Sequence, residues 1–205
     1  HGGYLKKIKT ANLRMSGEQK VKEGDAVARS VECSNKDELL VFTSKHQVYK
    51  AKLDDFPDTK ASVLGEYLPG KLEMEEGETA LYTAVISKYQ GYMIFVFENG
   101  KLAKVDLSAY ETKTNRKKLI NAFSDKSPLA AAVYLEEDAD IVITSQSGRN
   151  LLINTAVILP TATKSTQGFQ AMTLKKKSDK VISLHLYKEG EFEKEWRFRP
   201  KNLPA

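Results

Sequence analysis

Cysteine is almost missing from this sequence. Cys33 is the only one in 205 residues. An intramolecular disulfide framework is therefore excluded, and a reducing compartment is the natural setting. Cys33 closes the apolar run Ala26-Val27-Ala28 and is expected to be a half-buried, unreactive residue. Histidine is nearly as scarce. His1, His46 and His185 are scattered, with none of the spacing that builds a metal site. Glycines such as Gly148 and Gly168 stand singly, so no phosphate-cradling loop is present. No apolar run approaches the roughly 20 residues needed to span a bilayer. Long helical periodicity is lacking as well. The best helical candidate, Tyr67 to Glu76, is short and broken by Pro69-Gly70. The paired carboxylates Asp54-Asp55 suit a solvated turn before Phe56-Pro57. No catalytic constellation, cofactor or metal site is expected. The chain opens on His1-Gly2-Gly3 with neither an initiator Met nor a secretory leader, so it is expected to be a piece of a longer protein.

What the chain does have is short runs of β-branched and aromatic residues. Leu39-Leu40-Val41-Phe42, Tyr92-Met93-Ile94-Phe95-Val96-Phe97 and Asp140-Ile141-Val142-Ile143-Thr144 each precede a turn and a second strand-like run. The turns align. Phe42 to Lys50 superimposes on Phe97 to Lys104 and on Thr144 to Leu151, and Gly3-Tyr4-Leu5-Lys6-Lys7-Ile8 matches the second half of the same hairpin. The turn residues Gly3, His46, Gly100 and Gly148 lie 43, 54 and 48 positions apart. Glycine there suits a hairpin needing positive φ, and His46 is expected to tolerate that conformation. A polar, basic segment begins 13 to 16 residues after each turn: Thr59-Lys60, Thr114-Asn115-Arg116-Lys117-Lys118, and Lys164-Ser165. An acidic or polar turn then leads into a further apolar run, as at Glu23-Gly24-Asp25, Glu76-Gly77-Glu78, Asp125-Lys126-Ser127 and Ser178-Asp179-Lys180. Three features repeating in order at about 48 residues predict an all-β, propeller-like domain of about four four-stranded blades. The blades are expected at 1–36, 37–90, 91–138 and 139–187, with 188–205 as a tail or closing strand.

Leu40-Val41-Phe42-Thr43-Ser44-Lys45, Val48-Tyr49-Lys50-Ala51-Lys52-Leu53-Asp54-Asp55-Phe56-Pro57 and Thr166-Gln167-Gly168-Phe169-Gln170-Ala171-Met172-Thr173-Leu174 resemble the repeat of the C-terminal domain of the bacterial type IIA topoisomerase A subunit, the gyrase and topoisomerase IV family. The likeness runs over roughly residues 2 to 187. It implies a β-pinwheel whose blades exchange strands and whose basic outer rim bends duplex DNA. It also implies that the DNA-cleaving tyrosine belongs to another domain, so none of the nine tyrosines takes that role. The gyrase version carries a Gln-Arg-Arg-Gly-Gly-Lys-Gly box in its first blade. The matching stretch here, Leu13 to Val21, lacks the diarginine and diglycine and holds Glu18. That points to a topoisomerase IV-type subunit or a divergent paralogue, with weaker wrapping than gyrase.

The formal net charge is +5 and the isoelectric point is near 9.0, a modest bias toward acidic partners. DNA wrapping needs cations spaced along a curved path, and repeated units supply that spacing. The candidate DNA-binding residues fall into two registers. The first holds Lys6, Lys7, Lys45, Lys50, Lys52, Lys101, Lys104 and Arg149. The second holds Arg14, Lys20, Lys60, Arg116, Lys117, Lys118 and Lys164, with Arg116-Lys117-Lys118 the densest cluster. Lys175-Lys176-Lys177 sits outside both. The expected function is a non-catalytic domain that binds double-stranded DNA without sequence preference. Its other partners would be the rest of the A subunit, together with the ATPase B subunit, in the bacterial cytoplasm. The competing expectation is a propeller-like protein-interaction scaffold, marked by exposed aromatic patches rather than cations. A propeller hydrolase or lyase would need a converging polar cluster that the sequence does not offer.

Overall fold

The computed structural model describes residues 3–13, 20 and 22–201. Among them are thirteen strands: β1 (Tyr4–Leu5), β2 (Glu38–Thr43), β3 (Val48–Lys52), β4 (Glu66–Tyr67), β5 (Ala80–Ile86), β6 (Tyr92–Phe97), β7 (Lys101–Asp106), β8 (Lys118–Leu119), β9 (Leu129–Leu135), β10 (Asp140–Ser145), β11 (Asn150–Asn154), β12 (Phe169–Gln170) and β13 (Val181–Leu186). The inner strands β2, β6 and β10 are the near-continuous apolar runs of the sequence. Residues of both parities are buried along them, which is why they do not alternate. Helical structure is limited to single turns. The Tyr67–Glu76 candidate shrinks to Leu68–Lys71, entered through Pro69.

Each inner strand opens a hairpin. Phe42 pairs with Val48, Val96 with Leu102 and Thr144 with Asn150. The turn residue is left-handed every time, with φ of 58° at His46, 85° at Gly100 and 84° at Gly148. A histidine can occupy that region at modest cost, whereas glycine does so freely. The other edge of each inner strand takes β5, β9 or β13, and the register slips at one equivalent place: Phe42/Thr43, Val96/Phe97 and Thr144/Ser145. In each slip a turn amide reaches the residue ahead of that outer strand: Ser44 to Thr79, Glu98 to Pro128 and Gln146 to Lys180. One bulge repeated three times identifies one structural unit used three times.

In three of the sheets one strand comes from the following unit. β4 pairs with β1, β8 with β3 and β12 with β7. Leu5, Val48 and Leu102, each two residues past its turn, face Glu66, Leu119 and Phe169. The sheets are β5-β2-β3-β8, β9-β6-β7-β12, β13-β10-β11 and β1-β4. Two of the four therefore carry four strands among the described residues. On β11, the Leu152 amide donates to Phe198 O at 2.8 Å. This is the position at which Lys50, its counterpart on β3, donates to Lys117 O. The tail thus meets β11 where a donated strand would lie.

The chain divides into two compact units: His1–Lys88 with Asn115–Ile120, and Tyr89–Thr114 with Asn121–Ala205. The first is centred on Leu39, Val41, Tyr49, Leu53, Phe56 and Leu68. The second is centred on Ile94, Val96, Leu102, Ile141, Ile143 and Ile153. Two expectations are corrected here. The apolar run after Glu23-Gly24-Asp25 forms no strand: residues 25–34 have no regular structure and are mostly exposed. Cys33 lies within that stretch and is exposed rather than half-buried.

Candidate nucleic-acid interface

The candidate cations occupy two different environments. Lys104 occupies the middle of β7, between Ala103 and Val105, and only 4% of it is exposed. Its ammonium donates to Asp138 Oδ1 at 2.8 Å, Thr155 O at 2.9 Å and Ile158 O at 3.1 Å. It also lies 4.1 Å from the centre of the Tyr92 ring. All three ammonium protons thus have an acceptor inside the fold. Lys104 is not a surface cation, contrary to the sequence expectation.

Lys7 holds the same register, four residues past its turn. Its ammonium donates to Leu53 O and to Asn35 Oδ1, both at 3.0 Å, and lies 3.6 Å from Asp58. Leu53 and Thr155 are equivalent: each begins the one-turn helix that follows a hairpin. The backbones agree, since the Thr59 amide donates to Lys7 O as the Thr161 amide donates to Lys104 O. Lys7 and Lys104 are latches between successive repeats. Lys6 is also engaged internally, donating to Lys20 O at 2.8 Å and Ala61 O at 2.9 Å, and burial pushes its ammonium pKa down. The sequence carried a signal for Lys104: a lysine flanked by apolar residues in a strand whose two faces are both covered. Spacing from the turn alone could not separate inward from outward lysines.

The second register behaves differently. Arg116, Lys117 and Lys118 are all exposed. The backbone of Lys117 and Lys118 is fixed because β8 is the strand donated to β3: Lys118 pairs with Tyr49, and Lys117 O accepts from Lys50. The Lys118 ammonium stands 5.9 Å from the Tyr49 ring. The sheet therefore holds the main chain while three cationic side chains project from it. Lys52, Lys60 and Lys45 are exposed too, Lys45 beside Glu75 at 3.8 Å. Lys20 is exposed, and its amide is tied to Ala61 O. Lys50, Lys101 and Lys164 are half-buried, Lys101 donating to Gln167. Arg149 is exposed and donates to Thr173 O at 2.7 Å. Arg14, with most of the Leu13–Val21 stretch, lies outside the described residues. Lys113 and Lys175-Lys176-Lys177, absent from both expected registers, are exposed.

The buried polar groups are structural. Glu78 receives hydrogen bonds from Thr43, from Tyr49 Oη at 2.8 Å and from the Glu75 amide at 2.9 Å. Burial pushes its carboxyl pKa up, and these donors outweigh that and leave it below the usual range. Tyr49 is driven well above its usual value by burial and by this carboxylate. Glu78 thus ties Thr43, at the β2–β5 bulge, to Tyr49 on β3.

A family profile described as "DNA gyrase C-terminal domain, beta-propeller" matches residues 37–62 and 159–188. These segments contain the β2–β3 hairpin and the β12 strand exchange. The chain is similar to the C-terminal domain of gyrase A and topoisomerase IV A subunits. The DNA gyrase A subunit of Mycobacterium bovis is 26% identical over 200 residues, 93% of this chain and 24% of that protein. The DNA topoisomerase 4 A subunit of Staphylococcus epidermidis is 26% identical over 178 residues, 84% of this chain and 22% of that protein. The chain thus spans about a quarter of the length of these relatives. Among solved structures, a topoisomerase IV C-terminal domain aligns with a TM-score of 0.76 at 21% identity, covering 91% of this chain and 59% of that one. A gyrase A C-terminal domain aligns with a TM-score of 0.58 at 17% identity, covering 92% and 63%. These likenesses establish the all-β, propeller-type fold, with the strand exchange that the gyrase-like repeat implied.

Proposed function

We propose that this chain is a non-catalytic DNA-binding and DNA-bending domain of an ATP-dependent type II topoisomerase A subunit. It engages duplex DNA through exposed lysines and arginines and presents it to a cleavage core carried elsewhere in the enzyme. The observation that carries this reading is the Arg116-Lys117-Lys118 cluster. A donated strand fixes the backbone at Lys117-Lys118, and all three side chains are exposed. Such cations contact phosphates, so affinity is salt-dependent and sequence preference weak. The partners are duplex DNA, the remainder of the A subunit, plus the ATPase B subunit, in the bacterial cytoplasm at the nucleoid. The cleavage tyrosine lies outside this chain, and the domain needs no cofactor of its own. Without the gyrase-type box, wrapping is weaker than in gyrase.

The test is titration of labelled linear duplexes of two unrelated sequences at low salt. Similar, tight binding to both supports the proposal, and no binding to either rejects it. A protein-interaction scaffold is the second reading. It draws on Tyr4 and Tyr67, whose rings meet 5.2 Å apart while both residues remain exposed. That reading gains if the Tyr67→Ser variant loses a protein partner and keeps full DNA affinity.

A further inference from the structure

A short loop precedes the outer strand of each hairpin repeat, and its charge changes along the chain. In the β2–β3 repeat it reads Met74-Glu75-Glu76-Gly77-Glu78-Thr79. In the β6–β7 repeat it reads Phe123-Ser124-Asp125-Lys126-Ser127-Pro128, and in the β10–β11 repeat Lys175-Lys176-Lys177-Ser178-Asp179-Lys180. The backbone fixes this alignment, because Thr79 O, Pro128 O and Lys180 O accept the equivalent amides of Ser44, Glu98 and Gln146. The first and third loops also close the same turn. The Glu78 amide donates to Glu75 O at 3.1 Å, and the Asp179 amide to Lys176 O at 3.0 Å. The last residue of that turn is a carboxylate both times, and it serves the fold. Glu78 accepts from Thr43 and Tyr49, and Asp179 accepts from the Ser147 amide at 3.1 Å and hydroxyl at 2.7 Å. The residues before it reverse in sign. Exposed Lys176 and Lys177 replace exposed Glu75 and Glu76, and exposed Lys175 adds a third cation.

The lysine loop is held at both ends. Before it, the Ala171 and Met172 amides donate to Gly100 O at 3.0 Å. After it, Lys180 O accepts from Gln146 at 2.7 Å, and the Val181 amide donates to Glu98 O at 3.0 Å. The run therefore lies between the Gly100 and Gly148 turns. Arg149, next to Gly148, is tied to the same segment through Thr173 O at 2.7 Å. The carboxylates at these turns are engaged elsewhere. Asp179 holds Ser147, Glu98 lies 3.7 Å from Lys180, and Asp125 lies 3.8 Å from Lys126. Among the described residues, none of the ammonium groups of Lys175, Lys176 and Lys177 has an ion-pair partner. Residues 173–180 include no exposed apolar side chain, which the centre of a protein interface would need. Cations on a fixed backbone without carboxylate partners suit a polyanion of closely spaced charges. Duplex DNA is one, with a phosphate at about every 3.4 Å of axis along each strand.

We propose that Arg149, Lys175, Lys176 and Lys177 form a further phosphate-binding site for duplex DNA on the turn edge of the β10–β11 repeat. It is separate from Arg116-Lys117-Lys118, whose β8 belongs to another sheet. The β2–β3 repeat, with Glu75 and Glu76 at the equivalent turn, has no such site. The turn edges of the repeats are therefore unequal in DNA contact. The inference rests on the DNA-binding reading above and adds which repeat holds DNA by its turn edge.

The experiment titrates a labelled linear duplex with the 205-residue chain across a salt series, reading anisotropy. One variant carries Lys175→Gln, Lys176→Gln and Lys177→Gln together. A second carries Lys188→Gln, Lys194→Gln and Lys201→Gln, which removes the same charge from exposed positions of the tail. Circular dichroism matching wild type shows that both are folded. The loop variant should flatten the slope of log affinity against log salt by about 2 to 3, and the tail variant by less than about 1. If the loop variant leaves the slope unchanged, or the tail variant flattens it equally, the site is overturned and the binding reading stands. If wild type does not bind at low salt, both fall. If the loop variant keeps its DNA slope and instead loses affinity for poly-glutamate, the loop serves an acidic protein and the DNA site is overturned.

Discussion

The ammonium of Lys104 donates to the carbonyl oxygen of Thr155 at 2.9 Å. This bond joins the second hairpin unit to the third. Lys7 makes the equivalent bond to Leu53 O at 3.0 Å. Lys7 and Lys104, each four residues past its turn, are thus connectors between repeats. A buried ammonium with three acceptors is costly to remove, because Asp138 loses its cation and Thr155 O and Ile158 O lose a donor. Lys104→Ala is expected to destabilise the chain by about 3 kcal/mol, below the fully buried limit because Asp138 is partly exposed. Lys52→Ala, on the surface, should change stability by less than about 0.5 kcal/mol. Urea unfolding midpoints of the two variants check this, and equal shifts would refute it.

Two equivalent turn glycines should respond differently to the same substitution. A Cβ on Gly100 would lie 2.0 Å from Met172 O, whereas one on Gly148 meets nothing within 4 Å. Both residues have positive φ. Gly148→Ala should therefore cost only the backbone term, about 1 kcal/mol. Gly100→Ala adds a clash with fixed main chain and should cost roughly 2–4 kcal/mol. Thermal melts of the two variants decide it.

Acid should weaken the fold through its paired carboxylates. The Lys104 and Thr155 hydrogen bonds hold the Asp138 pKa down. The Arg199 guanidinium, at 3.1 and 3.2 Å, does the same for Asp140. Glu78 is also lowered, by its three donors against its burial. A carboxyl whose folded pKa is depressed adds stability that is complete above its unfolded value. That stability is lost as pH falls through the folded one. Stability should accordingly be level above about pH 5 and decline from about pH 4 downward. A urea midpoint series from neutral to acid pH reads it, and a decline beginning above about pH 6 would point to other groups.

The hairpins were legible because their signals are local. Runs such as Tyr92–Phe97 and a glycine at each turn fix strand, turn and strand within about a dozen residues. His46 was legible for the same reason, since its position in the repeat demanded positive φ. The strand exchange was not legible from periodicity. It pairs Val48 with Leu119, and β8 is only two residues long, too short to show a period. The resemblance supplied it instead. The cations were half legible. Lys118 and Lys104 look alike in sequence, and what separates them is the Asp138, Thr155 and Ile158 cage, assembled from the next unit. Ala26-Val27-Ala28 misled in the opposite direction, since its residues are apolar but lie outside every sheet.

Removing the exposed cluster should reduce binding uniformly. Replacing Arg116, Lys117 and Lys118 together by Ala takes away up to three phosphate contacts. The slope of log affinity against log salt should then become shallower by roughly 2 to 3. The loss should be the same for unrelated duplex sequences. Anisotropy titrations across sequences test this, and a loss confined to one sequence would indicate base readout.

Binding of duplex DNA through surface cations underlies every functional statement made of this domain. The affinity of the unmodified chain for a linear duplex across a salt series probes it without any mutation. Tight binding at low salt is expected, with a log–log slope steeper than about −3. Absence of binding at low salt, or an affinity that does not change with salt, would refute cation-mediated binding.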